Sequence, residues 1–292
     1  MNQAIGEHRW ESDLACERQT AHGDIPGVDR QVQTHGELSW ERIRIVSEEG
    51  AAHIGRPQGH YDTLTTPPMD TLGEEVKELA TEAVRQALQT HVERALGHPA
   101  ASLLAVGLGN ASMTADAIGP LTAKKIHATR HIRAHDEAMF RALACAEIAV
   151  MRPGVSAQSG LDAADTVAGV CRFLKPDVLL VFDALAARST DRLGCTVQLS
   201  DTGIAPGSGV GNHRRPLDES TLHVPVIAIG VPTVTDSRIF FSEEAARRGL
   251  SANGADDGVG MFVSPRGIDD IVETASDILS EAVNRAFGIS FL

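Results

Sequence analysis

Four short apolar runs, at residues 103–106, 148–151, 178–182 and 224–229, alternate with segments of helical period, and this alternation constrains the fold more than any other feature. Runs of this length read as buried strands, while residues 161–174 and 268–287 read as helices laid over them. The expected architecture is therefore α/β, a layered fold with a largely parallel central sheet. Upstream, Thr71 and Glu74 form a capping-box pattern. Leu72, Val76, Leu79, Ala83, Leu88, Val92 and Leu96 then recur at helical spacing until Gly97, a stripe that reads as a core face. Ile43 and Ile45 alternate with Arg42 and Arg44, which suits a half-buried strand, and Gly55, Pro57 and Gly59 suggest a hairpin after it. Residues 1 to about 37 are polar and weakly periodic, so they read as a mobile, removable arm.

At 292 residues and 42% hydrophobic side chains, the chain can bury a core of one large domain or two small ones, and extensive disorder is excluded. Lys and Arg number 26 against 39 Asp and Glu, for a formal charge of −13, which repels phosphate backbones and argues against direct nucleic-acid binding. No apolar run approaches the roughly 18 residues of a membrane span, and the first nine residues lack a secretory pattern, so no membrane association and a cytoplasmic location are expected. Cys16, Cys145, Cys171 and Cys195 are too widely spaced for a zinc knuckle or redox pair and read as buried free thiols.

In open α/β sheets the functional crevice lies beyond the carboxyl ends of the strands. Asp183 directly follows the run at 178–182, Asp116 lies in the loop after 103–106, and Asp201 follows a short run at 196–199; the three are expected on one edge. Each alone could be a helix cap or turn residue. Two carboxylates brought close cannot both ionise easily, so they can share a proton, one acting as general base on water and the other donating to a scissile carbonyl. The same pair could instead hold a divalent metal.

Other motifs carry less. Asp201-Thr202-Gly203 matches the triplet of pepsin-like proteases, but those are all-β. The glycine-rich stretch 203–212 lacks the ending of a P-loop, and Gly107-Leu108-Gly109 has Met113 where a dinucleotide fingerprint needs a small residue. His127, His131 and His135 would share a face of one helix, read here as solvated and not as a metal site. Ser189 and Ser208 have no nucleophile-elbow context.

The residues resemble those of the germination proteases of spore-forming bacteria. The resemblance is carried by Val106-Gly107-Leu108-Gly109-Asn110, Asp116-Ala117-Ile118-Gly119-Pro120, Asp183-Ala184-Leu185-Ala186-Ala187-Arg188-Ser189, Gln198-Leu199-Ser200-Asp201-Thr202-Gly203-Ile204 and the run from Pro225 to Val234. It is dense over 103–236. It implies a tetrameric endopeptidase of the spore core that degrades small acid-soluble spore proteins, with Asp116 and Asp183 matching the family's proposed catalytic pair and Asp201 and Asn110 in possible support. It also implies a zymogen. Ser12-Asp13-Leu14-Ala15-Cys16-Glu17 looks like the self-cleavage site, which makes 1–13 a propeptide and 14–292 a single peptidase domain, with cleavage between Asp13 and Leu14 expected to be faster in mild acid. No cofactor is expected, although a divalent metal stays open. A long polar insertion expected between about 241 and 262 is missing.

Gly107-x-Gly109-Asn110 with an acidic residue six positions on also resembles the hydrogenase-maturation peptidases. This resemblance implies a shared, phosphorylase-like α/β fold and keeps a metal-dependent maturation peptidase as the alternative. A non-enzymatic peptide-binding module built on the glycine loops is the third reading.

Overall fold

Along the run at 178–182, Val178, Leu180 and Phe182 point to one face of the strand and Leu179 and Val181 to the other. Both sets are fully buried, as expected of a strand covered on both sides. The structure is a computed structural model that describes residues 12–22, 25–207, 215–250 and 260–289. Its strands are β1 (Val28–His35), β2 (Leu38–Ile45), β3 (Gly59–Thr65), β4 (Ser102–Gly107), β5 (Glu147–Met151), β6 (Val178–Ala186), β7 (Thr196–Ser200), β8 (Val226–Asp236) and β9 (Phe262–Val263). They form one mixed sheet in the order β1-β2-β3-β7-β8-β6-β4-β5, with β9 paired to β8.

The α/β class and all four expected strands are present. β8-β6-β4-β5 is the parallel block, and β7 joins β8 in the antiparallel sense and continues into β3, β2 and β1. In β2 the expected alternation holds: Ile43 and Ile45 are buried and Arg42 and Arg44 exposed. The hairpin expected after Gly55 is corrected. β2 and β3 pair, but the Glu48–Ile54 helix connects them, and the tight hairpin is the β1–β2 turn at Gly36, where φ is +57°.

One face of the sheet packs on the helices Glu74–Leu96, Ile118–Lys125 and Ile268–Ala286, giving a core that includes Leu64, Leu88, Leu103, Phe182, Ile229 and Leu279. The capping box predicted at Thr71 does not form: Gly73 is the N-cap without a side-chain bond, and the Thr71 hydroxyl donates instead to Pro68 O in a preceding 3-10 turn. Gly97 ends the helix as expected, with φ +73°. On the other face the Ala163–Leu174 helix covers the parallel block.

The antiparallel half of that second face is covered by the chain's own beginning. Leu14, Ala15 and Cys16 are completely buried against Ile43, Ile45, Ile54, Tyr61 and Leu185. This corrects the mobile-arm expectation. Residues 12–22 and 25–35 are built into the fold, with an Ala15–His22 helix followed by β1. Burial pushes the Cys16 thiol up to about 11, so it stays protonated at neutral pH. Cys16, Cys171 and Cys195 are buried free thiols and Cys145 is half-buried.

The seam between β4 and β6 requires a glycine. A Cβ at Gly119 would lie 2.2 Å from Leu108 O and 2.4 Å from Phe182 O, and one at Gly107 would lie 2.1 Å from Gly119 O. Backbone atoms cannot give way as a flexible side chain can. Gly119→Ala should therefore destabilise the protein by about 1–3 kcal/mol or more through overpacking, read as a lower denaturation midpoint; an unchanged midpoint would contradict this packing.

Candidate active site

Asp183 lies on β6 one residue beyond the Gly107–Phe182 pairing with β4, and faces the same side as Leu179, Val181 and Leu185. It is 6% exposed, and its carboxylate accepts from Ala184 N at 2.9 Å. β4 ends at Gly107, and the chain then turns through Leu108, whose N–H donates to Phe182 O at 2.8 Å, into a loop closed by the 3-10 turn Thr114–Asp116. Thr233 on β8 ties that turn down by donating to Ala115 O at 2.6 Å. Asp116 and Asp183 thus belong to the carboxyl-terminal edge of two adjacent parallel strands.

The Asp116 carboxylate accepts from Asn110 N at 2.8 Å. It also lies against Gly109, which has φ +109° and where a Cβ would come within 3.0 Å of Asp116 Oδ1. Asn110 therefore meets Asp116 through its backbone, while its side-chain oxygen accepts from Ser112 N and Gln158 Nε2, each at 3.0 Å. The loop is shaped around the carboxylate. That is a physical reason for glycine at 109 and for a six-residue spacing to Asp116.

Asp201 is not on this edge. β7 runs antiparallel to β8, so its carboxyl end points toward the opposite end of the parallel block, and Ser200 pairs with Ala228. There Asp201 accepts from His60 N at 2.8 Å and pairs with His60 Nδ1 at 2.7 Å. Of the three aspartates expected on one edge, Asp116 and Asp183 lie there and Asp201 does not. Strand direction was the missing information.

The three histidines are exposed, as the solvated reading expects, but they do not share one helix. The helix spans only Arg130–His135, so His127 precedes it, and His131 and His135 are exposed. Among the described residues no group of three or more His, Cys, Asp or Glu could hold a metal ion. Ser189 accepts from Asp191 N as a turn residue, whereas Ser208 and residues 209–212 of the glycine-rich stretch lie outside the described residues.

Asp13 and Leu14 sit in a built site on the same face of the sheet as Asp183. Asp13 N donates to Ala186 O, and Ala186 N donates back to Asp13 Oδ2, both at 2.9 Å. Arg56 Nη2 donates to Ser12 O at 2.6 Å and lies 3.3 Å from Asp13 Oδ1. Gln198 Nε2 donates to Asp13 O at 3.0 Å, while Gln198 Oε1 accepts from Ala15 N at 2.8 Å. Further along, the Glu17 carboxylate accepts from Arg188 N and Ser189 N, both at 2.7 Å. A cavity of about 120 Å³ remains beside the segment, bounded by Asp13, Arg56, Tyr61, Gln198, Ile204 and Gly230. Sequence reasoning passed over Gln198 and Arg56. The one available signal was Gln198, a polar residue placed inside the run at 196–199.

Comparison with known proteins bears on this arrangement. The family model described as germination protease matches residues 4–247. The germination protease of Clostridium tetani is 35% identical over 236 residues, covering 77% of this chain and 70% of that protein. That of Geobacillus sp. is 39% identical over 193 residues, covering 66% of this chain and 51% of that protein. The chain thus spans about half to seven-tenths of the length of these relatives. Among solved structures, a NiFe hydrogenase maturation protease from Thermococcus kodakarensis KOD1 is matched at TM-score 0.37 and 16% identity, over 68% of this chain and 99% of that one. The family model extends over most of the chain, through the Asp116 loop, the Asp183 strand and the Asp13 segment, and the chain belongs to the germination protease family, a family of peptidases.

Proposed function

We propose that this protein is an endopeptidase that degrades small acid-soluble spore proteins during germination, acting through Asp116 and Asp183 as an aspartate pair. The observation that carries the reading is the placement of both residues at the carboxyl-terminal edge of β4 and β6, in a chain of this family. Two carboxylates serving one water share a proton, because two like charges in close quarters resist joint ionisation. The ionised partner draws a proton from water as it attacks the scissile carbonyl, and the protonated partner donates to the carbonyl oxygen. Asn110 N and Ala184 N each hold one carboxylate in place. No cofactor is required by this scheme. The enzyme works in the spore core as a homotetramer. Among the described residues, no helix is long and apolar enough to cross a membrane.

Asp116→Asn and Asp183→Asn should each lower cleavage of a spore DNA-coating protein by about 100-fold or more while leaving the fold intact, because the amide cannot exchange a proton. Activity of either variant within about tenfold of wild type would overturn the pair. Asp201→Asn should cost less, since that carboxylate holds His60. Cleavage should also survive a strong chelator. Loss on chelation with recovery on adding a divalent cation would instead select the metal-dependent reading.

We further propose that the protein is made as a zymogen and cuts itself between Asp13 and Leu14, so that 1–13 is the propeptide of a single peptidase domain. The pair needs one proton, so self-cleavage should accelerate from neutral pH into mild acid. Asp13 Oδ1 also lies 3.3 Å from the Arg56 guanidinium. Intact-mass measurement across a pH series checks the acceleration, with Asp183→Asn as control. A Leu14 product formed equally by both proteins would assign the cut to another protease.

A further inference from the structure

Gln198 on β7, Gly230 on β8 and Asp183 on β6 are successive cross-strand partners in one row of the sheet. All three present the same face, and the middle position has no side chain. At ordinary strand spacing, Gln198 and Asp183 therefore stand about 10 Å apart. The carbonyl of Asp13 approaches this row from above, where Gln198 Nε2 donates to it. The same amide accepts from Ala15 N, so Gln198 spans the Asp13–Leu14 bond and holds Leu14 just ahead of the Ala15–His22 helix. Gln198 is more than nine-tenths buried, in a place where an unpaired amide would be costly. Both of its polar ends are instead used by this one segment.

The preceding residue is held by different chemistry. Asp13 N and Oδ2 pair with the two backbone groups of Ala186, and Arg56 sets its guanidinium against Asp13 Oδ1 while also donating to the Ser12 carbonyl. An asparagine there could still accept from Ala186 N, but its amide would turn N–H groups toward Arg56. The site therefore distinguishes carboxylate from amide. Leu14, Ala15 and Cys16 follow into a fully closed apolar pocket that admits one branched and two small side chains.

We infer that Arg56 is the specificity residue for an acidic side chain before the bond that is cut, and that Gln198 is the donor to the carbonyl of that bond. This rests on the proposed self-cleavage between Asp13 and Leu14 and names the residues that direct it. As the carbonyl becomes tetrahedral its oxygen gains charge, and a fixed amide N–H aimed at it stabilises that charge.

The test uses the full chain and two readouts: the rate of appearance of the Leu14 product by intact mass, and amide hydrogen exchange across residues 13–17 in an Asp183→Asn background that leaves the bond uncut. Arg56→Gln should slow cutting by about 10- to 100-fold. Asp13→Asn should do the same. The double variant should be no slower than either single one, because both remove the same interaction. Additive losses would overturn the role of Arg56.

Gln198→Glu keeps the acceptor for Ala15 N but cannot donate to the carbonyl. It should cut about 100-fold more slowly while Ala15 stays protected from exchange, and its unfolding midpoint reports an intact fold. Cutting at the wild-type rate would overturn the role of Gln198. If the wild type forms no Leu14 product, self-cleavage falls and any part of Gln198 in bond breaking falls with it. The exchange arm then decides by itself whether Arg56 and Gln198 select and hold the segment, since unchanged protection in Arg56→Gln and Gln198→Ala would remove that role too.

Discussion

The contact of Gly119 with the β4–β6 seam fixes where the Asp116 loop can lie. Gly107, Leu108 and Phe182 all crowd the start of the Ile118–Lys125 helix, with no room for a single added carbon. This close approach sets the length of the loop between Gly107 and that helix. The loop ends in the Thr114–Asp116 turn, so Asp116 is delivered to the strand edge by backbone geometry. Side chains add the fastening, through Thr233 to Ala115 O and through Asn110 to Ser112 N and Gln158. A site built this way is stiff, because moving the carboxylate requires moving a helix packed in the main core.

The second face of the sheet has a different character. Its parallel half is closed by an internal helix, whereas its antiparallel half is closed by residues 14–16 together with the Glu48–Ile54 helix. Complete burial of Leu14 alone is worth about 1.5–3 kcal/mol. The flanking polar groups of Asp13, Arg56, Gln198 and Glu17 add direction and little net energy, since each exchanges water for a protein partner. A segment held by a small apolar anchor and a row of hydrogen bonds is ordered in place.

The parallel half of the fold was legible in the sequence because its strands are buried on both faces and read as continuous apolar runs, as at 178–182. The antiparallel half was less so. β1 is polar and mostly exposed and gives no run, and β7, with Thr196, Gln198 and Ser200 on one face, gives only a short one. The arm was misread for a related reason. Leu14, Ala15 and Cys16 are three consecutive residues, too few for a period, and their polar neighbours are satisfied by groups more than 170 positions away, such as Ala186 and Gln198. Composition reports solvation only when the partners are water.

Asp201 shows what the strand-end rule leaves out. The rule selects residues after strands, and it is valid where the strands are parallel; Asp116 and Asp183 follow β4 and lie in β6, which are. Asp201 follows a strand that runs the other way, so an identical local pattern puts it at the opposite end of the block, paired with His60. Yet the same reversal has a constructive side. Because β7 enters the sheet antiparallel, Gln198 falls in register with Gly230 and Asp183 instead of beyond them. One change of strand direction thus removes a third carboxylate from the edge and places an amide across from the second.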